Sequence, residues 1–256
     1  MTVGRIHSIE TLGLVDGPGI RVVVFMQGCM LRCAYCHNPD TWNRDGGTEI
    51  TPEELLNKVK RYKGYFKSSG GGVTLSGGDP LIQSEFVAEF FKMCREEGIN
   101  TALDTSGYGY GDYDEVLKYT DLILLDIKHV EESRHKQITG KGREGFLKFL
   151  SAAQKNNNKI WIRHVVVPGL TDSEDNIRRL GKYINTISNV EKVQLLPYHT
   201  QGVDKYKDLN IPYRLEGVPA LEREKLDKLY LVLDEAMGKL PRTKKAAESH
   251  SLNDVG

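Results

Sequence analysis

Three of the chain's four cysteines fall on one short loop, Cys29, Cys33 and Cys36, in the spacing C-x3-C-x2-C. One turn of chain can aim three thiolates at a common centre and leave a fourth coordination position unfilled by protein. Soft thiolates select zinc, copper(I) or iron-sulfur clusters. A cubane cluster ordinarily takes four cysteines, so a triad leaves one iron free to bind something else, which suggests reactivity. A structural zinc site would be closed. Two blander readings stand beside this one: a zinc knuckle completed by His37 or Cys94, and a redox pair made by the C-x2-C part alone. Neither accounts for a third cysteine in so short a loop.

The elements that must hold this loop are legible around it. Ile20–Met26 is a nearly continuous apolar run rich in β-branched residues, the pattern of a buried parallel strand, and the loop begins at its C-terminal end. Thr51-Pro52-Glu53-Glu54 opens a helix reaching about Tyr65. Further strands are expected at Val73–Leu75, Thr101–Leu103, Leu122–Leu125, Ile160–Ile162 and Val193–Leu196. Helices are expected at Ser84–Glu97, Asp112–Lys118, Glu144–Asn156, Asp172–Ile187 and Leu221–Met237. Cys94 falls on the apolar face of the helix that begins at Ser84, which marks it for core packing. Six strand-helix units with right-handed crossovers make an α/β fold, either an incomplete (β/α) barrel or a doubly wound sheet.

Chemistry in such folds gathers where the strands end. After the six strands come, in turn, the cysteines, Ser76-Gly77-Gly78-Asp79, Asp104-Thr105, Asp126-Ile127-Lys128, Arg163-His164 and Tyr198-His199. Together these polar ends make a site. Gly77-Gly78 permits close backbone approach, and backbone groups there can bind the two ends of a small zwitterion; the plain alternative is a strand-to-helix turn. Asp104, Thr105 and Asp126, with the carbonyl of Leu124, supply hard oxygens suited to a cation. Otherwise the two aspartates cap or salt-bridge the sheet edge.

The cysteine loop, with aromatic Tyr35 just before Cys36, resembles the signature of radical S-adenosylmethionine enzymes. Val15-Asp16-Gly17-Pro18-Gly19-Ile20-Arg21, Gln27-Gly28-Cys29 and Cys36-His37-Asn38 narrow the likeness to activating enzymes of glycyl-radical enzymes, over about Gly4 to Gly238. The resemblance implies an open (β/α)6 TIM-like barrel of parallel strands with outer helices. It also implies one [4Fe-4S] cluster with a non-cysteine-ligated iron, S-adenosylmethionine, and a monovalent cation, Na+ or K+, at the Asp104, Thr105, Leu124 and Asp126 group. Tyr35, Cys36, His37, Asn38, Gly77, Gly78, Asp79, Asp126, Ile127, Lys128 and His199 would line the cofactor. Asp16 and Arg163 would meet a partner peptide. The family reads Gly-Gly-Glu where this chain has Asp79, one methylene shorter. The implied reaction is reductive cleavage of S-adenosylmethionine followed by removal of a hydrogen atom from a backbone glycine of the partner, with electrons from a flavodoxin or ferredoxin. Activators of different glycyl-radical enzymes and a non-catalytic iron-sulfur carrier are the rival readings.

Across 256 residues, Lys+Arg and Asp+Glu both number 35, so no global positive field draws the chain to nucleic acid or an anionic membrane. No run approaches the ~18 apolar residues of a membrane span. Thiolates that serve a metal need a reducing compartment, so a cytoplasmic location is expected; the chain is also expected to be a monomer. Residues 1–240 are read as one domain, and the polar, aperiodic stretch 241–256 as a tail without fixed structure.

Overall fold

Residues 2–111 and 113–238 are described here from a computed structural model. The strands are β1 (Gly4–Gly13), β2 (Arg21–Met26), β3 (Thr48–Ile50), β4 (Gly72–Gly77), β5 (Asn100–Thr105), β6 (Leu122–Asp126), β7 (Lys159–Val166) and β8 (Val190–Pro197). They form one sheet in the order β3-β1-β2-β4-β5-β6-β7-β8. From β2 to β8 every pairing is parallel, whereas β1 and β3 add antiparallel strands at one edge. All six expected strands are present. Sequence reading missed β1 and β3, because β1 is mostly polar and buries only Gly4, Ile6 and Gly13, so it carries no apolar run.

The parallel strands are apolar on both faces because both are covered. Val22, Val24, Met26, Val73, Leu75, Leu103, Ile123, Leu125, Ile160 and Ile162 belong to the large core under the helices. The opposite register carries Ala102, Leu122, Leu124 and Trp161, a small cluster inside the curve of the sheet. Below it, at the strand beginnings, the buried guanidinium of Arg21 donates to Thr74 Oγ1 (2.6 Å), Val73 O (2.6 Å), Asn100 Oδ1 (3.1 Å) and Pro18 O (3.2 Å). Burial lowers its pKa to about 10, so it stays charged at neutral pH.

The helices are α1 (Pro52–Val59), α2 (Lys63–Ser69), α3 (Ser84–Glu96), α4 (Tyr113–Lys118), α5 (Glu132–Thr139), α6 (Glu144–Lys155), α7 (Glu174–Ile184), α8 (Asp204–Asp208) and α9 (Arg223–Met237). Helix α1 starts with a full capping box between Thr51 and Glu54. The single helix expected to Tyr65 is instead α1 and α2 joined through a 3-10 turn at Lys60–Tyr62. Phe86, Val87, Phe90, Phe91 and Cys94 are the buried stripe of α3, as their spacing requires. Each fully buried side chain of that size contributes roughly 1.5–3 kcal/mol. Helices α5 and α8 were missed; α5 buries only His135, Ile138 and Thr139 and carries little apolar periodicity. The expectation for 241–256 lies outside the described residues.

Candidate active site

The cysteine loop leaves β2 through Gln27 and Gly28 and is tied down from three sides. Gly28 N–H donates to Thr41 O (2.6 Å), and Arg32 and Ala34 N–H donate to Thr139 and Ile138 O at the end of α5 (2.8 and 2.9 Å). The hydroxyl of Tyr206, on α8, donates to Cys36 O (2.9 Å). Lys205 beside it reaches Asn38 Oδ1 (3.1 Å) and Asp40 Oδ2 (3.0 Å). Neither α5 nor α8 carries a motif, so sequence reading missed these anchors. The one available signal was the short polar helix ends facing the loop from downstream.

Cys29, Cys33 and Cys36 are all free and half-buried. Burial pushes each thiol up, Cys33 to about 12, and for Cys29 the carboxylate of Asp79 and the thiol of Cys33 push in the same direction. Three crowded groups that resist becoming thiolates are a poor arrangement unless a cationic centre reverses the balance. N–H donors already favour sulfur charge: Leu31 N–H donates to Cys29 Sγ (3.4 Å), and Asn38 N–H and the Trp42 indole act on Cys36. Such N–H···S bonds are among the levers that set the potential of an iron-sulfur cluster. The donor set therefore fits a cluster. His37 stacks on His199 with its Nε2 on His199 O, and Cys94 lies in the buried stripe of α3, so neither joins the triad as the ligand of a zinc knuckle.

The β4 turn packs directly on this loop. A Cβ at Gly77 (φ +103°) would meet Met26 N at 2.3 Å, and one at Gly78 would meet Gly28 O at 2.1 Å. Gly78 and Asp79 N–H donate to Met26 and Gly28 O (both 2.9 Å). Both glycines are thus required by the backbone of the cysteine loop itself. Asp79 is fully buried. Its Oδ1 accepts from Thr105 Oγ1 (2.6 Å) and Leu81 N (3.2 Å), and its Oδ2 from Ser106 N (3.0 Å) and Ser106 Oγ (2.6 Å). The carboxylate is spent on joining the β4 turn to the β5 turn.

Strand parity puts Ser76, Asp104, Asp126 and Arg163 on the inner face of the sheet, with Asp126 opposite Arg163 in the β6–β7 register. Arg163 Nη1 donates to Asp104 Oδ2 (3.2 Å) and Nη2 to Val15 O (2.5 Å), with Asp16 Oδ1 at 3.7 Å. Burial works against that charge, but Asp104, Asp16 and Asp126 outweigh it and hold the pKa up. The Nε of Arg163 has no hydrogen-bond partner among the described residues. Asp104, which also accepts from Ser76 Oγ (2.7 Å), is pushed up to about 6 by burial and by the carboxylate of Asp126, against the pull of Arg163. Lys128 Nζ lies 2.7 Å from Asp126 Oδ2 and 5.7 Å from the ring centre of Tyr35. Burial opposes its charge, but Asp126 holds it protonated.

On the far side His37 and His199 stack with ring centres 4.0 Å apart, and His37 Nε2 donates to His199 O at 3.0 Å. Burial first, and then His199, lower the pKa of His37 to about 4, so His37 stays neutral at physiological pH. Thr105 turns toward Asp79 rather than toward Asp126. Leu124 and Ile127 are buried, and Ile127 O accepts from His164 Nδ1 (2.6 Å).

Three thiols, an open sheet of parallel strands and charged groups at the strand ends define an iron-sulfur radical enzyme, and the chain belongs to the Radical SAM superfamily, whose family model matches residues 23–181. That superfamily brings a [4Fe-4S] cluster and S-adenosylmethionine. Within it the chain groups with pyruvate formate-lyase-activating enzymes. It is 60% identical to the one from Clostridium pasteurianum over 237 residues, which are 93% of this chain and 100% of that protein. It is 45% identical to the one from Staphylococcus epidermidis over 251 residues, 95% of this chain and 100% of that one. A crystallised domain of the Bacteroides vulgatus pyruvate-formate lyase-activating enzyme superposes with TM-score 0.55 at 26% identity, covering 68% of this chain and 98% of that one. The fold also matches a radical SAM methyltransferase from Sphaerobacter thermophilus (TM-score 0.63, 14% identity, 94% of this chain and 76% of that one).

Proposed function

We propose that this chain activates pyruvate formate-lyase by cleaving S-adenosylmethionine reductively and removing a hydrogen atom from a backbone glycine of that partner. The observation that carries the chemistry is the cysteine triad seated at the C-terminal end of β2, beside charged groups from β5, β6 and β7. The choice of partner rests on the 60% identity over the full length of a protein that bears that name. When bound, the cluster supplies one electron that splits S-adenosylmethionine into methionine and a 5'-deoxyadenosyl radical, the species that takes the glycine hydrogen.

In this reading Cys29, Cys33 and Cys36 would hold a cluster with one non-cysteine-ligated iron, to which the amino and carboxylate groups of S-adenosylmethionine would bind. Gly77 and Gly78 offer backbone groups to the methionyl end, while Asp126, Ile127 and Lys128 line it. Tyr35, His37, Asn38 and the stacked His199 flank the adenosyl end, and the neutral His37 ring stacked on His199 presents a flat face there. Asp79 acts on the cofactor only by holding the glycine turn. The Asp104 and Asp126 carboxylates, with the Leu124 carbonyl, would hold Na+ or K+ against the cofactor carboxylate, relieving the burial and repulsion that raise Asp104; Thr105 Oγ1, committed to Asp79, takes no part. Arg163 pins Val15, which presents Asp16 at the rim for the partner's glycine segment. A flavodoxin or ferredoxin supplies the electron, and the enzyme works as a monomer in the reducing cytoplasm. No helix among the described residues is long and apolar enough to cross a membrane. Anaerobic reconstitution, reduction and chromatography for 5'-deoxyadenosine and methionine test the reading. Equal amounts of the two products support it, and a reduced cluster that releases neither overturns it.

A further inference from the structure

A cleft of about 620 Å³ opens beside the cysteine loop and serves none of the roles above. Cys29 is the one cysteine that lines it, and Asp104, Asp126, Lys128, Arg163 and His199 do not. It therefore reaches the cluster position from a side other than the cofactor's. Its walls carry three cations, Arg32, Arg44 and Lys141, against the single carboxylate of Asp45. In a chain whose formal net charge is zero, this is a local positive field.

Two of the cations are also held in place. Arg32 lies over Trp42 (4.9 Å to the ring centre) and Arg44 over the exposed ring of Tyr110 (5.0 Å). Stacking on Tyr110 restrains the Arg44 guanidinium, which then loses few conformations when a partner binds, while Arg32 is fixed by its bonds to Cys29 O and Leu31 O. Arg, Trp and Tyr are the residue types that dominate binding energy at protein interfaces. A charged, shallow surface of this kind suits redox encounters, which bury less than about 1,200 Å² and rely on steering.

We propose that this cleft is the docking site for an acidic electron-carrier protein, which passes one electron through the Cys29 side to the cluster. The donor is oxidised by one electron and the cluster reduced by one, and no atoms are exchanged. Electron transfer weakens steeply with distance, so the point where a cluster ligand meets an open cleft is favoured. The inference rests on the function proposed above.

The test is the double variant Arg44→Glu/Lys141→Glu; Arg32 is kept because it donates to Cys29 O and Leu31 O (both 2.8 Å). The probe is a bacterial flavodoxin in its fully reduced state. Its affinity for the cluster-loaded enzyme is read by fluorescence anisotropy, and the rate of cluster reduction by stopped flow. At low ionic strength both should fall by about tenfold or more, the scale of electrostatic steering. Wild type and variant should converge near 1 M salt, where the Debye length is ~3 Å. Reduction by photoexcited deazaflavin, which needs no protein docking, should be unchanged. Equal flavodoxin affinity and rate at low salt would overturn the proposal, and so would a matching loss with deazaflavin. If the double variant fails to load its cluster, Arg44→Gln/Lys141→Gln is read in the same way, with a smaller expected loss. Should the wild type accept electrons but release no 5'-deoxyadenosine, the proposed function fails and the docking result stands apart.

Discussion

Replacing Asp79 by Asn keeps the shape of a buried carboxylate that accepts four hydrogen bonds. An amide offers one oxygen and one N–H2. With its oxygen toward Ser106 the variant keeps both Ser106 bonds but turns N–H2 against Leu81 N–H; the reverse orientation strands Ser106 N–H instead. Either way one buried backbone donor is orphaned, at about 1–3 kcal/mol. The remaining bonds lose their charge assistance, a further ~1 kcal/mol. The desolvation that raises the pKa of Asp79 is relieved, which offsets part of the loss. The expected net cost is about 2–3 kcal/mol. In a chain of this length it lowers the melting temperature by roughly 4–12 °C, at 2–4 °C per kcal/mol. Urea unfolding of wild type and variant, with unchanged slope, measures it. A variant within ~0.5 kcal/mol of wild type that nevertheless lost S-adenosylmethionine binding would refute this account and return Asp79 to direct cofactor contact.

Changing any one of Cys29, Cys33 or Cys36 to Ala should abolish cluster assembly by iron and sulfide analysis. Cys94→Ala should keep the cluster and lose about 1 kcal/mol or more from the α3 core. Asp104→Asn should weaken S-adenosylmethionine binding by about tenfold or more while the cluster stays, and removal of Na+ and K+ should reproduce the effect, read by equilibrium dialysis. Buried His164, whose pKa burial lowers to about 4, refuses the proton that an unfolded histidine takes up below 6.5. Its contribution is therefore constant above pH 6.5 and is lost as pH falls toward 4. From pH 7 to 5 the loss is about 2 kcal/mol, at ~1.4 kcal/mol per pH unit per proton. His37 acts in the same sense and Asp104 in the opposite one, so the measure is the difference in slope between wild type and His164→Gln in urea melts at several pH values.

The six parallel strands could be read in the sequence because strands covered on both faces must be almost continuously apolar. β1 could not, since an edge strand with one wet face resembles a polar loop. The cysteine spacing announced its own chemistry. The strand-end polar residues were also found, because parity alone turns Asp104, Asp126 and Arg163 to one face. Their partners were hidden. Nothing in Gly77-Gly78-Asp79 says that its glycines answer to Met26 and Gly28, or that its carboxylate closes on Thr105 and Ser106, because each of these contacts joins distant parts of the chain. The clamp of α8 on Cys36 is hidden for the same reason, and five residues are too few to show a periodicity.

The most direct test of the central claim follows a deuterium atom. Pyruvate formate-lyase labelled at the glycine α-carbons is mixed anaerobically with the reduced enzyme and S-adenosylmethionine. Electron paramagnetic resonance reads the radical, and mass spectrometry reads the 5'-deoxyadenosine. A glycyl radical should appear together with one deuterium in each 5'-deoxyadenosine formed in the coupled reaction. Unlabelled 5'-deoxyadenosine without a glycyl signal would contradict the account.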